Sequence, residues 1–190
     1  SHMIFAPGHD GWMEEVDRSL AEDKADSVKG YTVGDNTNKH LARTPWRMDD
    51  EKLIYPFYEK ILKAGIDIVC VHKGLYPPET AERFPHLTDY ARVDDVGKAA
   101  RALDQFERTG RVEWTSDLAE IPAKYGVSNV YGDLGQIFAQ TTVIEPRLCA
   151  ALMGMLVKGL GVSNIVWGTD AVWTGSPQWQ IEALRRLEIP

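Results

Sequence analysis

The chain has 190 residues, 44% hydrophobic and 26% charged, which is ordinary globular composition with enough apolar material for a sizeable core. A net charge of −7 without a basic cluster excludes nucleic acid and anionic membranes as natural partners. No apolar run reaches the roughly 18 residues of a membrane span, no signal peptide is expected, and Cys70 and Cys149 lie in apolar runs without metal-like spacing. Both cysteines are expected as free thiols in a reducing, cytoplasmic setting, with a disulfide as the alternative.

Ser1-His2-Met3 reads as the remnant of a cleaved affinity tag, which sets His2 aside. The rest, 4–190, reads as a single domain. Trp12 to Asp23 is acidic and amphipathic, with Trp12, Val16 and Leu20 at helical spacing. Ser27 to Val33 reads as a short strand entering the turn-rich loop Gly34 to Asn38. A helix is expected from Glu51 to Lys63, capped by Asp49 or Asp50 and ended by Gly65. Its core face would carry Leu53, Ile54, Phe57, Tyr58, Ile61 and Leu62. Ile66 to Val71 is the next strand, nearly all apolar, as a strand covered on both faces should be. It ends in His72-Lys73-Gly74, and Pro77 and Pro78 keep the following loop irregular.

Val93 to Thr109 and Leu118 to Tyr125 are helical in character, the second capped by Ser116 or Asp117. Val112-Glu-Trp114 is a weak strand candidate between them. Ser128 to Leu134 reads as a third strand. Pro146 opens a long apolar helix through Leu160, closed by Gly161. A fourth strand, Asn164 to Trp167, and a helix from Gln178 to Leu187 complete the chain. Strand-like and helix-like stretches alternate, so the expected class is α/β with about four parallel strands.

Ionisable residues at strand ends are the functional candidates, because ligands gather at that rim in α/β folds. Asp170 follows Ile165-Val-Trp-Gly-Thr169. A carboxylate there suits a metal ligand or a general base toward metal-bound water. The plainer reading is a helix cap or a loop acceptor. His72 ends a buried strand and suits a metal ligand or proton shuttle, against a histidine bonded to a loop carbonyl. Lys29, inside a strand, either points into a site or faces solvent. Asp133 is a rim residue or a cap for the next segment, with the cap weighted more heavily. His9 lies in a glycine-rich loop; His40 and His86 are expected on the surface. The chain carries no nucleophile elbow, phosphate loop, dinucleotide fingerprint or Cys-x-x-Cys pattern.

His72 after a strand, then Val130-Tyr-Gly-Asp133 and Ile165-Val-Trp-Gly-Thr-Asp170, resembles the amidohydrolase-related metal-dependent hydrolases. The branch is that of aminocarboxymuconate-semialdehyde decarboxylase. The resemblance runs from about Lys29 onward, and Trp167-Gly-Thr-Asp170 is its most specific piece. It implies a (β/α)₈ barrel with a divalent metal, often zinc, at the carboxyl rim. It further implies Lys29 near the rim of barrel strand four, His72 as the strand-five ligand and Asp170 as the strand-eight ligand or base. Lys29 enters as a further ligand because related branches use a carboxylated strand-four lysine. The implied chemistry is hydrolysis or non-oxidative decarboxylation of a small organic acid or ring.

The departures are specific. The family's His-x-His pair occurs nowhere in the 190 residues, and barrel strands one to three and six have no counterpart. The expectation is a partial barrel with an incomplete metal site, completed as a homodimer or higher oligomer. A non-catalytic α/β oligomerisation or binding module is the alternative. A flavodoxin-like open sheet also fits the alternation, but without a phosphate loop.

Overall fold

The computed structural model describes residues 1–32, 46–72 and 96–189. The chain divides into two compact units, Ser1–Val93 and Asp94–Pro190. Both are α/β, built from helices and a small parallel sheet.

The first unit runs β1 (His2–Ile4), α1 (Trp12–Glu22), β2 (Ser27–Tyr31), α2 (Tyr55–Lys63), β3 (Val69–His72). The sheet order is β1-β2-β3, all parallel. Met3, Val28 and Val69 share one row across it. With Phe5 and Val71 they join Val16 of α1 and Phe57 and Ile61 of α2 in one core. Both helices therefore cover the same face. Alternation along a strand sends Ile4, Lys29, Tyr31, Cys70 and His72 to the other face.

Three differences from the sequence reading have local causes. β1 has no counterpart among the expected strands. Setting Ser1-His2-Met3 aside as a tag remnant removes most of it, yet Met3 and Phe5 are buried. Helix α2 begins at Tyr55, not Glu51. The Asp50 carboxylate accepts from the amides of Lys52 and Leu53 at 3.0 and 2.9 Å and stabilises a separate turn. Pro56 then suits the first turn of the helix, where its missing N–H costs nothing. β3 begins at Val69, three residues later than expected. On α2, Leu62 is exposed, so the core face is narrower than expected.

Gly30 has a steric reason to be glycine. A Cβ there would lie 2.6 Å from the Phe5 ring and 2.7 Å from the Trp46 ring. Phe5 stacks on Phe57 with centroids 4.2 Å apart and leans on Trp46 at 5.2 Å. The Trp46 indole donates to the Tyr31 carbonyl at 2.9 Å.

The second unit runs α3 (Val96–Thr109), α4 (Glu113–Tyr125), β4 (Gly132–Asp133), α5 (Gly135–Ile144), α6 (Pro146–Leu160), a 3₁₀ turn (Val162–Asn164), β5 (Ile165–Val166), α7 (Ala171–Thr174) and α8 (Pro177–Arg186). β4 and β5 pair in parallel. Leu134, Phe138, Cys149, Met153, Leu156 and Leu160 form its core, with Val130, Ile165 and Leu184 packed against it. A Cβ on Gly132 would meet Leu160 at 3.3 Å, so Gly132 and its partner Ile165 face α6. Asp133 and Val166 face the opposite way.

Val112-Glu-Trp114 is not a strand: Glu113 and Trp114 begin α4, five residues ahead of the expected start. Ser116 does help that helix start, since its hydroxyl accepts from the Val112 amide at 3.0 Å. The expected strand Ser128–Leu134 shrinks to Gly132–Asp133, because β5 offers only two residues to pair with. Part of the missing ladder is supplied by a side chain. The Asn164 amide donates to the Ser128 and Val130 carbonyls at 2.8 and 3.0 Å.

Five strands, not four, stand among the described residues. The loop Gly34–Asn38, Lys73, Gly74, Pro77, Pro78, His40 and His86 lie outside them. Among the described residues no helix is long and apolar enough to cross a membrane. Cys70 and Cys149 are free thiols.

Candidate functional site

The first unit places Lys29 and His72 on one face. Register sets Lys29 beside Cys70 and Tyr31 beside His72. The Lys29 ammonium lies 5.3 Å from the Tyr31 ring centroid. Tyr31 and His72 stack with centroids 5.4 Å apart and planes 27° apart. All three side chains are half-buried. The result is a row consisting of a cation, a phenol and an imidazole on the face opposite α1 and α2. A cation over a tyrosine ring is stabilised by about 0.5–1 kcal/mol at such sites. His72 is the last residue of β3 itself, not the first residue after it.

The second unit places Asp133 and Asp170 at the carboxyl ends of adjacent parallel strands. Asp133 ends β4, and Asp170 follows β5 by four residues. Each carboxylate lies against a glycine. A Cβ on Gly168 would stand 2.5 Å from Asp133 Oδ1, and one on Gly135 would stand 3.3 Å from Asp170 Oδ2. Neither residue acts as a side-chain cap. Asp170 occupies the cap position of α7, and the cap of α5 is Leu134, yet neither helix start receives a side-chain cap hydrogen bond. The cap reading of Asp133 therefore fails at α5, while Asp170 stands at the cap position of α7 without making the side-chain bond.

Asp170 has φ 45° and ψ 37°, and among the described residues it is the one non-glycine with positive φ. Aspartate tolerates this left-handed region better than most residues but at a cost relative to glycine. A network holds the turn. Thr174 Oγ1 donates toward the Thr169 and Asp170 carbonyls at 2.7 and 2.9 Å. Gln180 Nε2 donates to the Thr169 carbonyl and to Thr174 Oγ1, both at 2.9 Å. Thr169 Oγ1 accepts from the Ala171 amide at 3.2 Å.

His72 and Asp170, the pair expected to share a metal, fall in different units. Among the described residues no three His, Cys, Asp or Glu side chains are grouped to hold a metal ion. His9 is exposed, 3.4 Å from Glu15 and bonded to the Asp10 carbonyl at 3.0 Å. Cys149 is a core thiol: burial pushes its pKa up, and hydrogen bonds from Thr141 and Thr142 only partly oppose this. That is the environment of an inert cysteine.

Tyr31 and Gln180 escape a reading of the sequence. The signal for Tyr31 was available, since it lies two residues from Lys29 and so on the same strand face. Gln180 carries no such signal in a helix that reads as amphipathic. No family model matches the chain, and no curated protein or solved structure matches it.

Proposed function

We propose that the chain is a partial (β/α)₈ barrel of the amidohydrolase-related type, whose ligand side is the carboxyl rim of its strands. The observation that carries this reading is the placement of the ionisable candidates. Lys29 and His72 in one unit, and Asp133 in the other, lie opposite the helix-covered face, and Asp170 stands at the same carboxyl edge as Asp133. Adjacent strands that follow one another in sequence, all parallel, with α1 and α2 on one face, support a barrel-type winding.

The parent chemistry is hydrolysis or non-oxidative decarboxylation of a small organic acid or ring. A divalent metal such as zinc supplies Lewis acidity there when bound. The donors described here do not fit that metal. Catalytic zinc takes three protein ligands, the His-x-His pair is missing from the 190 residues, and no group of three donors is described. Among the described residues, His72 and Asp170 stand as ligand-type residues without a complete ligand set. What remains is a binding residue on the sheet face opposite α1 and α2: the Lys29 ammonium attracts a carboxylate.

Two measurements test this. Metal analysis of purified protein is expected to give far less than one zinc per chain; stoichiometric zinc overturns the incomplete-site reading. Titration with benzoate in the presence of a chelator is expected to show binding that Lys29→Met weakens about tenfold, the worth of roughly 1.4 kcal/mol. Binding unaffected by that substitution removes Lys29 from the site. β1 stands at the edge of the three-stranded sheet with Ile4 59% exposed, and such an edge favours association with a second copy. A homodimer is the expected result of light scattering at micromolar concentration. A non-catalytic binding or oligomerisation module is the second reading, favoured by the missing His-x-His pair. It predicts the dimer without benzoate binding.

A further inference from the structure

We propose that Gln180 is a positioning residue that holds Asp170 in its left-handed conformation; this rests on reading Asp170 as the rim carboxylate of the second unit. Gln180 lies on α8 and is 0% exposed. Its helix neighbours Ala183 and Leu184 pack into an aliphatic core, so the surroundings favour an apolar side chain. The amide instead reaches the turn that carries Asp170.

The bonds act at the right places. The Thr169 carbonyl accepts from Gln180 Nε2 and from Thr174 Oγ1. The Asp170 carbonyl accepts from Thr174 Oγ1 and from the Thr174 amide at 3.0 Å. Fixing both carbonyls fixes the peptide planes on either side of Asp170, and so its φ and ψ. Gln180 holds Thr174 as well as the turn, because Thr174 Oγ1 also accepts from Gln180 Nε2. Gln180 is the shared anchor of the network.

The other end of the amide carries the second part of the argument. Gln180 Oε1 is buried without a hydrogen-bond partner. A buried polar atom left unpaired is destabilising, and leucine or methionine would remove that cost. The side chain is thus poorly chosen for stability alone and well chosen for holding the turn.

The test combines Asp170→Gly with Gln180→Met, singly and together. Glycine relieves the left-handed penalty, so Asp170→Gly is expected to raise Tm by about 2–4 °C in the otherwise unchanged chain. With Gln180→Met the turn relaxes, and the gain is expected to fall to within about 1 °C of zero. In the same variant the Asp170 backbone carbon shifts and its amide–α-proton coupling should leave left-handed values. Gln180→Leu removes the donor with an apolar side chain and should show the same spectroscopic change if Gln180→Met folds poorly. An equal Tm gain in both backgrounds, or Asp170 resonances unmoved in both Gln180 variants, overturns the proposal. Neither readout involves metal or benzoate, so its failure is distinct from failure of the binding reading.

Discussion

The two units solve the same problem with different materials. In the first, strands of three to five residues form a sheet, and the rings of Phe5, Trp46 and Phe57 stand in the core beneath it. In the second, the strands are two residues long and the core is mostly aliphatic, supplied by helices. Their free faces differ in the same way. The first presents a cation and rings, and the second presents carboxylates set on glycines. Where the backbone ladder is long, it alone places the side chains. Where it is short, side-chain hydrogen bonds from Asn164, Thr174 and Gln180 take over.

That contrast can be broken at its strongest point in each unit. Phe57→Ala removes the ring on which Phe5 stacks and should cost about 3–5 kcal/mol, read as a fall in urea midpoint. A loss under about 1 kcal/mol would mean the aromatic core is not what holds the first sheet. Asn164→Ala removes two hydrogen bonds to the Ser128 and Val130 carbonyls and should cost about 1–2 kcal/mol. Hydrogen exchange at Leu134, whose amide donates to the Val166 carbonyl at 3.1 Å, should quicken with it. Unchanged exchange there would show that the short ladder stands without its side-chain extension.

The smallest expected effect concerns pH. Burial pushes the Tyr58 pKa from 10.0 up to about 12, with Tyr55 and Asp49 adding to the shift. The folded state then keeps a proton that the unfolded state releases above pH 10. The stability this gives is full below pH 10 and is lost as pH rises toward 12. Tyr58→Phe should flatten the fall in stability across that window, measured by urea melts at stepped pH. An equally steep fall in the variant would assign it to other groups.

Much of the helix content was legible because its punctuation is explicit. Pro146 and Gly161 bracket α6 as expected, and Ser176 caps α8 through the Gln178 amide at 3.3 Å. Helix α5 was not legible. Thr141, Thr142, Val143 and Ile144 are β-branched, and the segment has no polar stripe to mark a helical period. Strand lengths were overread because an apolar run says nothing about how many residues its partner offers. Of the site, Lys29 on the same face as His72 follows from strand alternation once the parallel pairing of β2 with β3 is known. Asp133 and Asp170 at one carboxyl edge needed the pairing of β4 with β5, which no local pattern encodes.

Gly168 constrains how this chain can change. Its Cα is free of any φ requirement, but the Asp133 carboxylate occupies the space a methyl would need. A lineage that first shortened residue 133 to alanine would find residue 168 open to larger side chains. One that altered residue 168 first would meet a clash until Asp133 rotated or was replaced. The two positions are therefore coupled: a side chain at residue 168 requires the Asp133 carboxylate to rotate away or be replaced.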